Sequence, residues 1–277
     1  MAIKLMYITN EPRTARIVEQ SGVDRIFVDL ETRGKEERQG HIDSVKSHHA
    51  LSDISQIKDI LTQSELLVRA NALYEGSRDE VNEIISRGAD IVMLPMWTTA
   101  DDARRFRDLV NGRAKVLLLL ETIGAEHSID ELLGEEGIDE VHIGLNDLHL
   151  QYHLQFMFEL LSNGKVEAIM NKLTAAGMFS GFGGVASLDG GLLSGRNILT
   201  EHYRLGSQMA ILSRSFCDTS KTTDYDEIQA IFAKGVKDIR DFETFLQQQP
   251  ADYYLKNKQE VAAKVSDIVS RIQAKGN

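Results

Sequence analysis

Short apolar runs recur along this chain, and amphipathic segments separate them. Several runs lack the alternation of polar and apolar residues that marks a half-exposed strand, most clearly the run from Val116 to Leu120. Strands of this kind are typical of a parallel sheet that helices cover on both faces. Repeated strand–helix units with such strands predict an α/β fold.

Eight runs fit this pattern, and helical stretches lie between them. The predicted strands are Leu5–Thr9, Arg25–Asp29, Leu66–Ala70, Ile91–Leu94, Lys115–Glu121, Val141–Gly144, Met178–Phe182 and Met209–Leu212. The clearest predicted helices are Ser77–Arg87, Thr98–Val110 and Ser128–Leu133. Gly88 and Gly177 stand where a helix end favours a residue that tolerates positive φ. Eight units predict a closed (β/α)8 barrel, the TIM barrel, with a doubly wound open sheet as the alternative.

The 277 residues suit one barrel, so we predict a single domain over 1–277 with 223–277 as a C-terminal helical segment. Two apolar stripes at helical spacing occupy that segment. The first comprises Ile228, Ile231, Phe232, Val236, Ile239 and Phe242, and the second Val261, Val265, Ile268 and Ile272. The first helix should close the barrel. The second either packs on its own barrel or reaches a partner subunit, and we expect a homo-oligomer.

Composition restricts the class of protein. A net charge of −11 disfavours nucleic acid or an anionic membrane surface as a main partner. Cys217 is the single cysteine and cannot form an internal disulfide, which favours a reducing compartment. The first residues form too short an apolar run for a signal peptide, and no stretch approaches the roughly 20 apolar residues of a spanning helix. We therefore expect a cytoplasmic protein.

Two carboxylates stand out among the polar residues that end apolar runs. Glu121 follows five apolar residues, and an unpaired carboxylate buried there would cost several kcal/mol, so it must meet a lysine, an arginine or a metal. Asp147, taken alone, is equally consistent with a helix N-cap. If strands five and six are adjacent, the two carboxylates lie side by side. Such a pair, together with water, suits a hard divalent ion such as Mg²⁺.

Further polar residues follow strands two and three. Arg69 ends a buried run and either neutralises Asp29 and Glu31 or forks onto a carboxylate or enolate oxygen of a substrate, and these roles are compatible. Asn71, two residues later, is a candidate substrate-binding residue.

Weaker signals come from the loops. Gly183, predicted to follow strand seven, and Ser213, after strand eight, occupy loops that often bind phosphate in barrels, although simple turn chemistry explains them better. His48 and His49 lie in a polar stretch that otherwise indicates a solvated loop. Trp97 and Tyr74 either line the mouth or pack.

Five segments in this order resemble the HpcH/HpaI aldolase and citrate lyase β-subunit family of phosphoenolpyruvate/pyruvate-binding barrels. They are Phe27–Glu31, Leu67–Asn71, Gly88–Met96, Leu120–Thr122 and Ile143–Leu148, and the resemblance runs from about Val23 to about Phe216.

The resemblance implies a (β/α)8 barrel that uses a divalent cation, Mg²⁺ or alternatively Mn²⁺ or Co²⁺, to make or break a carbon–carbon bond beside a 2-oxo acid or acyl-CoA. By position, Glu121 and Asp147 match the family's metal ligands. Arg69 matches the arginine that binds the pyruvate-type oxygen, and Asp29 matches an acidic residue at the mouth. The cation and Arg69 would then share the negative charge that develops on an enolate.

The chain departs from the family at the residue after Asp29-Leu30-Glu31, where the aldolase branch has a proton-transferring histidine and this chain has Thr32. We predict that His48 or His49 replaces it, with Glu31 as the competing base. The predicted function is a metal-dependent aldolase acting on pyruvate or another 2-oxo acid and an aldehyde, sugar-derived ones included. The alternatives are a CoA-ester lyase of the citrate or malyl-CoA type and a binding or regulatory barrel without lyase activity.

Overall fold

The computed structural model describes residues 2–34, 49–219 and 221–276. Within them eight parallel strands close into a barrel in chain order, the last strand pairing with the first. The strands are β1 (Lys4–Ile8), β2 (Arg25–Asp29), β3 (Glu65–Arg69), β4 (Ile91–Leu94), β5 (Lys115–Leu120), β6 (Glu140–Ile143), β7 (Phe179–Val185) and β8 (Met209–Leu212). The predicted (β/α)8 barrel is confirmed.

Helices surround the strands. They are α1 (Pro12–Gln20), α2 (Leu51–Lys58), α3 (Ser77–Ser86), α4 (Ala100–Val110), α5 (Ile123–Ser128), α6 (Leu145–Gln151), α7 (Glu159–Ser162), α8 (Lys165–Ala175), α9 (Gly195–Arg204), α10 (Tyr225–Leu246) and α11 (Ala251–Gly276). Gly88 and Gly177 adopt positive φ after α3 and α8, as predicted. Among the helices of the described ranges, none has the length and apolar character needed to cross a membrane.

Alternate residues of each strand fill the barrel interior. The interior cluster consists of Met6, Phe27, Leu67, Ile91, Met93, Leu117, Leu119 and Met209, all buried. A larger apolar core lies between the strands and the helices. Two residues beyond Phe27 and Leu67, the same inward rows reach Asp29 and Arg69, which pair directly across β2 and β3. The strand register therefore places polar side chains in the C-terminal mouth.

Strand β7 differs from its prediction, which ended it at Phe182 and assigned Gly183 and Gly184 to a loop. The strand continues to Val185, with a register shift against β8 between Gly181 and Gly184. Gly183 has a φ of +52°, and a Cβ atom at Gly181 would collide with the carbonyl oxygen of Met209. These glycines therefore permit a bulge and close strand packing rather than a turn.

The helix predicted at Ser128–Leu133 lies earlier in the chain. Helix α5 begins at Ile123, directly after β5, because the Thr122 hydroxyl caps it by accepting from the Ala125 N–H at 2.9 Å. The predicted range holds only the last residue of α5, Ser128, and a short 3₁₀ turn, Ile129–Glu131.

The second apolar stripe of the C-terminal segment packs on its own barrel. Val261, Val265 and Ile268 are buried, and α11 packs against α7 and α9. A buried amide pair supports this docking, since Asn197 Nδ2 donates to Asn257 Oδ1 at 2.8 Å. This stripe therefore does not need a partner subunit to cover it, and homo-oligomerisation stays a prediction.

Candidate active site

The C-terminal mouth contains a cavity of about 430 Å³ that brings four of the predicted residues together. Asp29 ends β2, Arg69 ends β3, Glu121 follows β5, and Asp147 lies in the first turn of α6. All four line the cavity, so residues separated by more than a hundred positions share one site.

Arg69 is held by two carboxylates. Its Nε and Nη2 donate to the two oxygens of Asp29 at 2.8 and 2.7 Å, and its Nη1 lies 3.2 Å from Glu31 Oε2. Burial alone would lower the pKa of Arg69, but these carboxylates outweigh it and raise the pKa above its usual value. The predicted pairing of Arg69 with Asp29 and Glu31 is thus present, and it keeps the guanidinium charged and oriented.

Glu121 is 2% exposed and accepts a hydrogen bond from the Met96 N–H at 3.0 Å. Burial raises the pKa of Glu121 to about 8, the negative charges of Asp147 and Glu31 add to this rise, and Arg69 opposes it. Met96 itself has a φ of +54°, an uncommon conformation that aims its N–H at the carboxylate. The surroundings of Glu121 therefore disfavour its negative charge.

Gly144 lets β6 approach this carboxylate. A Cβ atom at Gly144 would lie 2.8 Å from Glu121 Cβ and 2.9 Å from Glu121 Oε2, so any side chain there would force β6 or Glu121 to shift. Its N–H donates to the Leu120 carbonyl at 2.9 Å, continuing the β5–β6 ladder by one residue. This close approach places Asp147, three residues farther on, within electrostatic range of Glu121.

Carboxylates outnumber cations at the mouth. The carboxylates are Asp29, Glu31, Glu121 and Asp147, and the cations are Arg69 and, at the cavity wall, the exposed Arg214. Across the described residues, no group of three or more His, Cys, Asp or Glu side chains is arranged to hold a metal ion. Two carboxylates that repel one another nevertheless fit a hard cation whose remaining ligands are water and substrate oxygens. The donor set is therefore compatible with a divalent ion at Glu121 and Asp147.

Asn71 contacts the protein rather than the cavity. Its Oδ1 accepts from the N–H groups of Thr32 and Arg33, both at 3.0 Å, and its Nδ2 donates to Glu80 at 2.7 Å. The side chain therefore holds the loop after β2, and it is not among the residues that line the cavity.

Of the two histidines predicted as bases, the structure describes His49. His49 lines a neighbouring cavity, and its Nδ1 accepts from the Asp29 N–H at 2.9 Å. In the neutral ring the proton then lies on Nε2. His48 lies outside the described residues.

Gly183 and Ser213 do line the cavity, and Ser213 hydrogen-bonds to Ser215 at 2.7 Å between their hydroxyl oxygens. Trp97 is buried, and the Arg33 guanidinium lies over the Tyr74 ring at 4.2 Å. Burial raises the pKa of the Cys217 thiol to about 11, which does not suit a nucleophile.

The sequence analysis missed His142, which lies in β6 and lines the cavity. Its Nε2 lies 3.2 Å from the Gly183 carbonyl, while its buried Nδ1 has no hydrogen-bond partner in the described residues. Burial lowers the pKa of His142 to about 4, so the ring is neutral at physiological pH. The alternation Glu140, His142, Gly144 along one face of the strand was the available signal.

Comparison with known proteins agrees with this geometry. The family model described as HpcH/HpaI aldolase/citrate lyase matches residues 4–182. An HpcH/HpaI aldolase structure from Desulfitobacterium hafniense DCB-2 has a TM-score of 0.61 at 18% identity, covering 90% of this chain and 95% of that one.

A second structure is of an HpcH/HpaI aldolase/citrate lyase family protein from Burkholderia cenocepacia J2315. It has a TM-score of 0.62 at 14% identity, and the match covers 82% of this chain and 95% of that one. No curated protein matches by sequence. At these identities the two structures show the shared barrel fold, whereas the family model covers more than half of the chain. The chain belongs to the HpcH/HpaI aldolase/citrate lyase family.

Proposed function

We propose that this protein is a divalent-metal-dependent aldolase that makes or breaks a carbon–carbon bond to pyruvate or a related 2-oxo acid. The observation that carries the proposal is the excess of carboxylates at the mouth. Glu121 and Asp147 repel one another there, and Arg69 is already engaged by Asp29 and Glu31. A site of this charge favours a cation, and membership of a family of aldolases and lyases makes carbon–carbon bond chemistry the natural use.

Glu121 and Asp147 would hold the cation, with Mg²⁺, Mn²⁺ and Co²⁺ as candidates. When bound, such an ion supplies Lewis-acid stabilisation of negative charge on substrate oxygens.

Arg69 would bind an oxygen atom of the 2-oxo acid. Three of its five N–H groups have partners among the described residues, which leaves two for a substrate oxygen. Because Asp29 fixes the guanidinium plane, these donors are oriented before substrate arrives. Donors fixed in this way stabilise the enolate oxygen that develops during the reaction without reorganising.

A proton must also move at the methyl carbon of pyruvate, and Thr32 is too weak a base to accept it. Glu31 and His49 are the candidates in the described residues, and His48 remains a further one. Glu31 is 3% exposed and contacts Arg69, while His49 borders the Asp29 backbone. Both therefore lie beside the groups that would bind the 2-oxo acid.

The test measures pyruvate release from 4-hydroxy-2-oxo acids, coupled to lactate dehydrogenase, with Mn²⁺ and with EDTA. We expect release with Mn²⁺ and at least a hundredfold loss with EDTA. Exchange of pyruvate methyl protons in deuterated water tests enolate formation alone, and Glu31→Gln, His48→Ala and His49→Ala compare the bases. Absence of both cleavage and exchange with every cation would overturn the proposal.

A second candidate, a ligand-binding barrel without lyase activity, is favoured by Thr32 and by the occupied Nδ1 of His49. It predicts that pyruvate binds with a cation but that its methyl protons do not exchange. The CoA-ester lyase alternative predicts that acyl-CoA thioesters raise the melting temperature more than 2-oxo acids do.

A further inference from the structure

The mouth cavity is polar in one part and apolar in another. The apolar part, here called the apolar wall, comes from the segment between α6 and α7 and from the segment between β7 and α9. It consists of Phe156, Met157, Phe158, Leu192 and Leu193. Because these residues line the same cavity as Arg69 and Glu121, a ligand held at the polar groups can extend onto them.

The α6–α7 half of the wall is rigid. The Phe156 and Phe158 rings meet edge to face, with centroids 5.3 Å apart, and both residues are almost fully buried. Glu159 fixes their backbone, since its Oε1 accepts from the N–H groups of Gln155 and Phe156 at 2.7 and 2.8 Å. These contacts hold the two rings together at the edge of the cavity.

The β7–α9 half brings one exposed leucine to the rim. Leu193 is buried, whereas Leu192 is 75% exposed while lining the cavity. Its segment is tethered by the Asp189–Arg196 ion pair at 2.7 Å and by the Arg196 N–H, which donates to the Leu188 carbonyl at 2.9 Å. An apolar ligand group between the two halves would remove Leu192 from water.

The volume indicates how large that group is. The cavity of about 430 Å³ lies within the range of small-molecule sites, about 300–1,000 Å³. Pyruvate has only six non-hydrogen atoms, so the cavity has room for a reaction partner of comparable size. Hexanal and benzaldehyde are of this size.

Resting on the proposed function, we propose that the aldehyde carries an apolar alkyl or aryl substituent that binds the apolar wall. In the addition, C3 of pyruvate loses a proton and bonds to the aldehyde carbonyl carbon, and the aldehyde oxygen gains a proton. The product is a 4-hydroxy-2-oxo acid, and cleavage is the reverse. A polyhydroxylated aldehyde would instead place hydroxyls against Phe156, Phe158 and Leu193, where their hydrogen bonds to water are lost.

The experiment measures aldol addition of pyruvate, with Mn²⁺, to the unbranched aldehydes from propanal to heptanal. Their carbonyl groups react alike, so a trend in kcat/KM with chain length reports burial of the chain. We expect about a two- to fourfold rise per added CH₂, ending where the chain leaves the wall. A flat series, or faster addition to D-glyceraldehyde than to hexanal, overturns the inference.

Variants locate the effect. Leu192→Gln and Met157→Gln should each flatten the series, lowering kcat/KM for hexanal about tenfold relative to that for propanal. Leu255→Gln is the matched control, because Leu255 is 55% exposed on α11 and does not line the cavity. If Leu192→Gln changes the molecular mass by light scattering but leaves the series unchanged, the wall is a subunit interface and the inference is wrong.

A binding measurement separates this inference from the proposed function. In 2-oxo-octanoate, carbons C4–C8 occupy the place of the aldehyde's chain, so with Mn²⁺ it should bind at least tenfold tighter than pyruvate by calorimetry. If the methyl protons of pyruvate exchange but 2-oxo-octanoate binds no tighter than pyruvate, the proposed function stands and the role of the apolar wall is wrong. If 2-oxo-octanoate binds tighter but pyruvate protons do not exchange, the apolar wall binds ligand and the lyase function is wrong. If neither ligand binds, both proposals are wrong.

Discussion

Charged side chains lie at both ends of the barrel, and in the cluster around Arg25 at the N-terminal end each carboxylate contacts a cation. There Arg25, 2% exposed, contacts both oxygens of Glu140 at 2.5 and 2.7 Å and Glu65 at 3.0 Å, and Lys115 contacts Glu65 at 2.6 Å. Two carboxylates thus meet two cations. At the C-terminal mouth, Asp29 and Glu31 contact the Arg69 guanidinium, while Glu121 lies within electrostatic range of Asp147.

The pKa values respond in opposite directions. Partial burial pushes the pKa of Glu65 upward, but the hydrogen bond from Lys115 and the charge of Arg25 outweigh it and lower the pKa. For Glu121, burial and Asp147 both raise the pKa, to about 8. The comparison teaches that charges balanced within the chain serve the fold, whereas an unbalanced set indicates a group that arrives from outside.

The largest effect should follow from breaking the balanced end. Arg25→Met leaves Glu140 buried without its partner and should lower the free energy of unfolding by about 3–5 kcal/mol. The double variant Arg25→Met/Glu140→Met removes both charges and should recover most of this loss. Urea denaturation measures both, and a double variant no more stable than the single one would contradict the explanation.

Next in size is the effect of Arg69→Lys, which keeps the charge but loses the planar fork. If the fork stabilises developing enolate charge, kcat should fall by more than KM rises, with a barrier increase of about 2–4 kcal/mol. Steady-state kinetics of 2-oxo acid cleavage measure this split. Near-normal turnover would show that Arg69 only neutralises Asp29 and Glu31.

Glu121→Gln should partly balance the mouth. Since the folded pKa of Glu121, about 8, exceeds its ordinary 4.5, the folded state retains a proton that the unfolded state loses between these pH values. Parent stability should therefore fall as pH rises through this window, and the variant should lack that fall. In EDTA we expect equal stability near pH 4.5 and a variant more stable by about 1–3 kcal/mol at pH 8.5.

Metal binding provides the counterpart of that measurement. Mn²⁺ at 100 times its dissociation constant should stabilise the parent by about 2.7 kcal/mol but neither Glu121→Gln nor Asp147→Asn. Unchanged calorimetric affinity in both variants would remove these residues from the cation site.

The smallest effect is expected for Lys115→Met. Lys115 is 48% exposed at its contact with Glu65, and exposed ion pairs contribute about 0–1 kcal/mol. Denaturation should detect at most this change, with unaltered cleavage kinetics. A larger loss would mean that the N-terminal end depends on its whole charge network rather than on Arg25 and Glu140.

Local patterns were sufficient to predict the barrel and its main polar residues. Eight apolar runs, several of them buried on both sides, indicated the strands, and polar residues at their ends indicated Arg69, Glu121 and Asp147. The C-terminal ends of parallel strands converge, so the end of a run is enough to place a residue at the mouth.

Features that depend on packing between distant segments were not predictable in this way. A run of glycines such as that in β7 is typical of a turn. The close approach of Gly181 to the Met209 carbonyl of β8 shows why glycines stand in this strand. His142 could not be found from strand ends alone, because it lies within β6, below the mouth. The apolar wall joins two segments about thirty residues apart that share no pattern.

Gly144 has a consequence for how such a barrel diverges. Since a Cβ atom there would collide with Glu121 Cβ, a side chain at position 144 is compatible with this carboxylate only if β5 and β6 move apart. The exposed Leu192 at the rim carries no such constraint. Substitutions are therefore easier to accommodate at this apolar position of the mouth than beside the carboxylates.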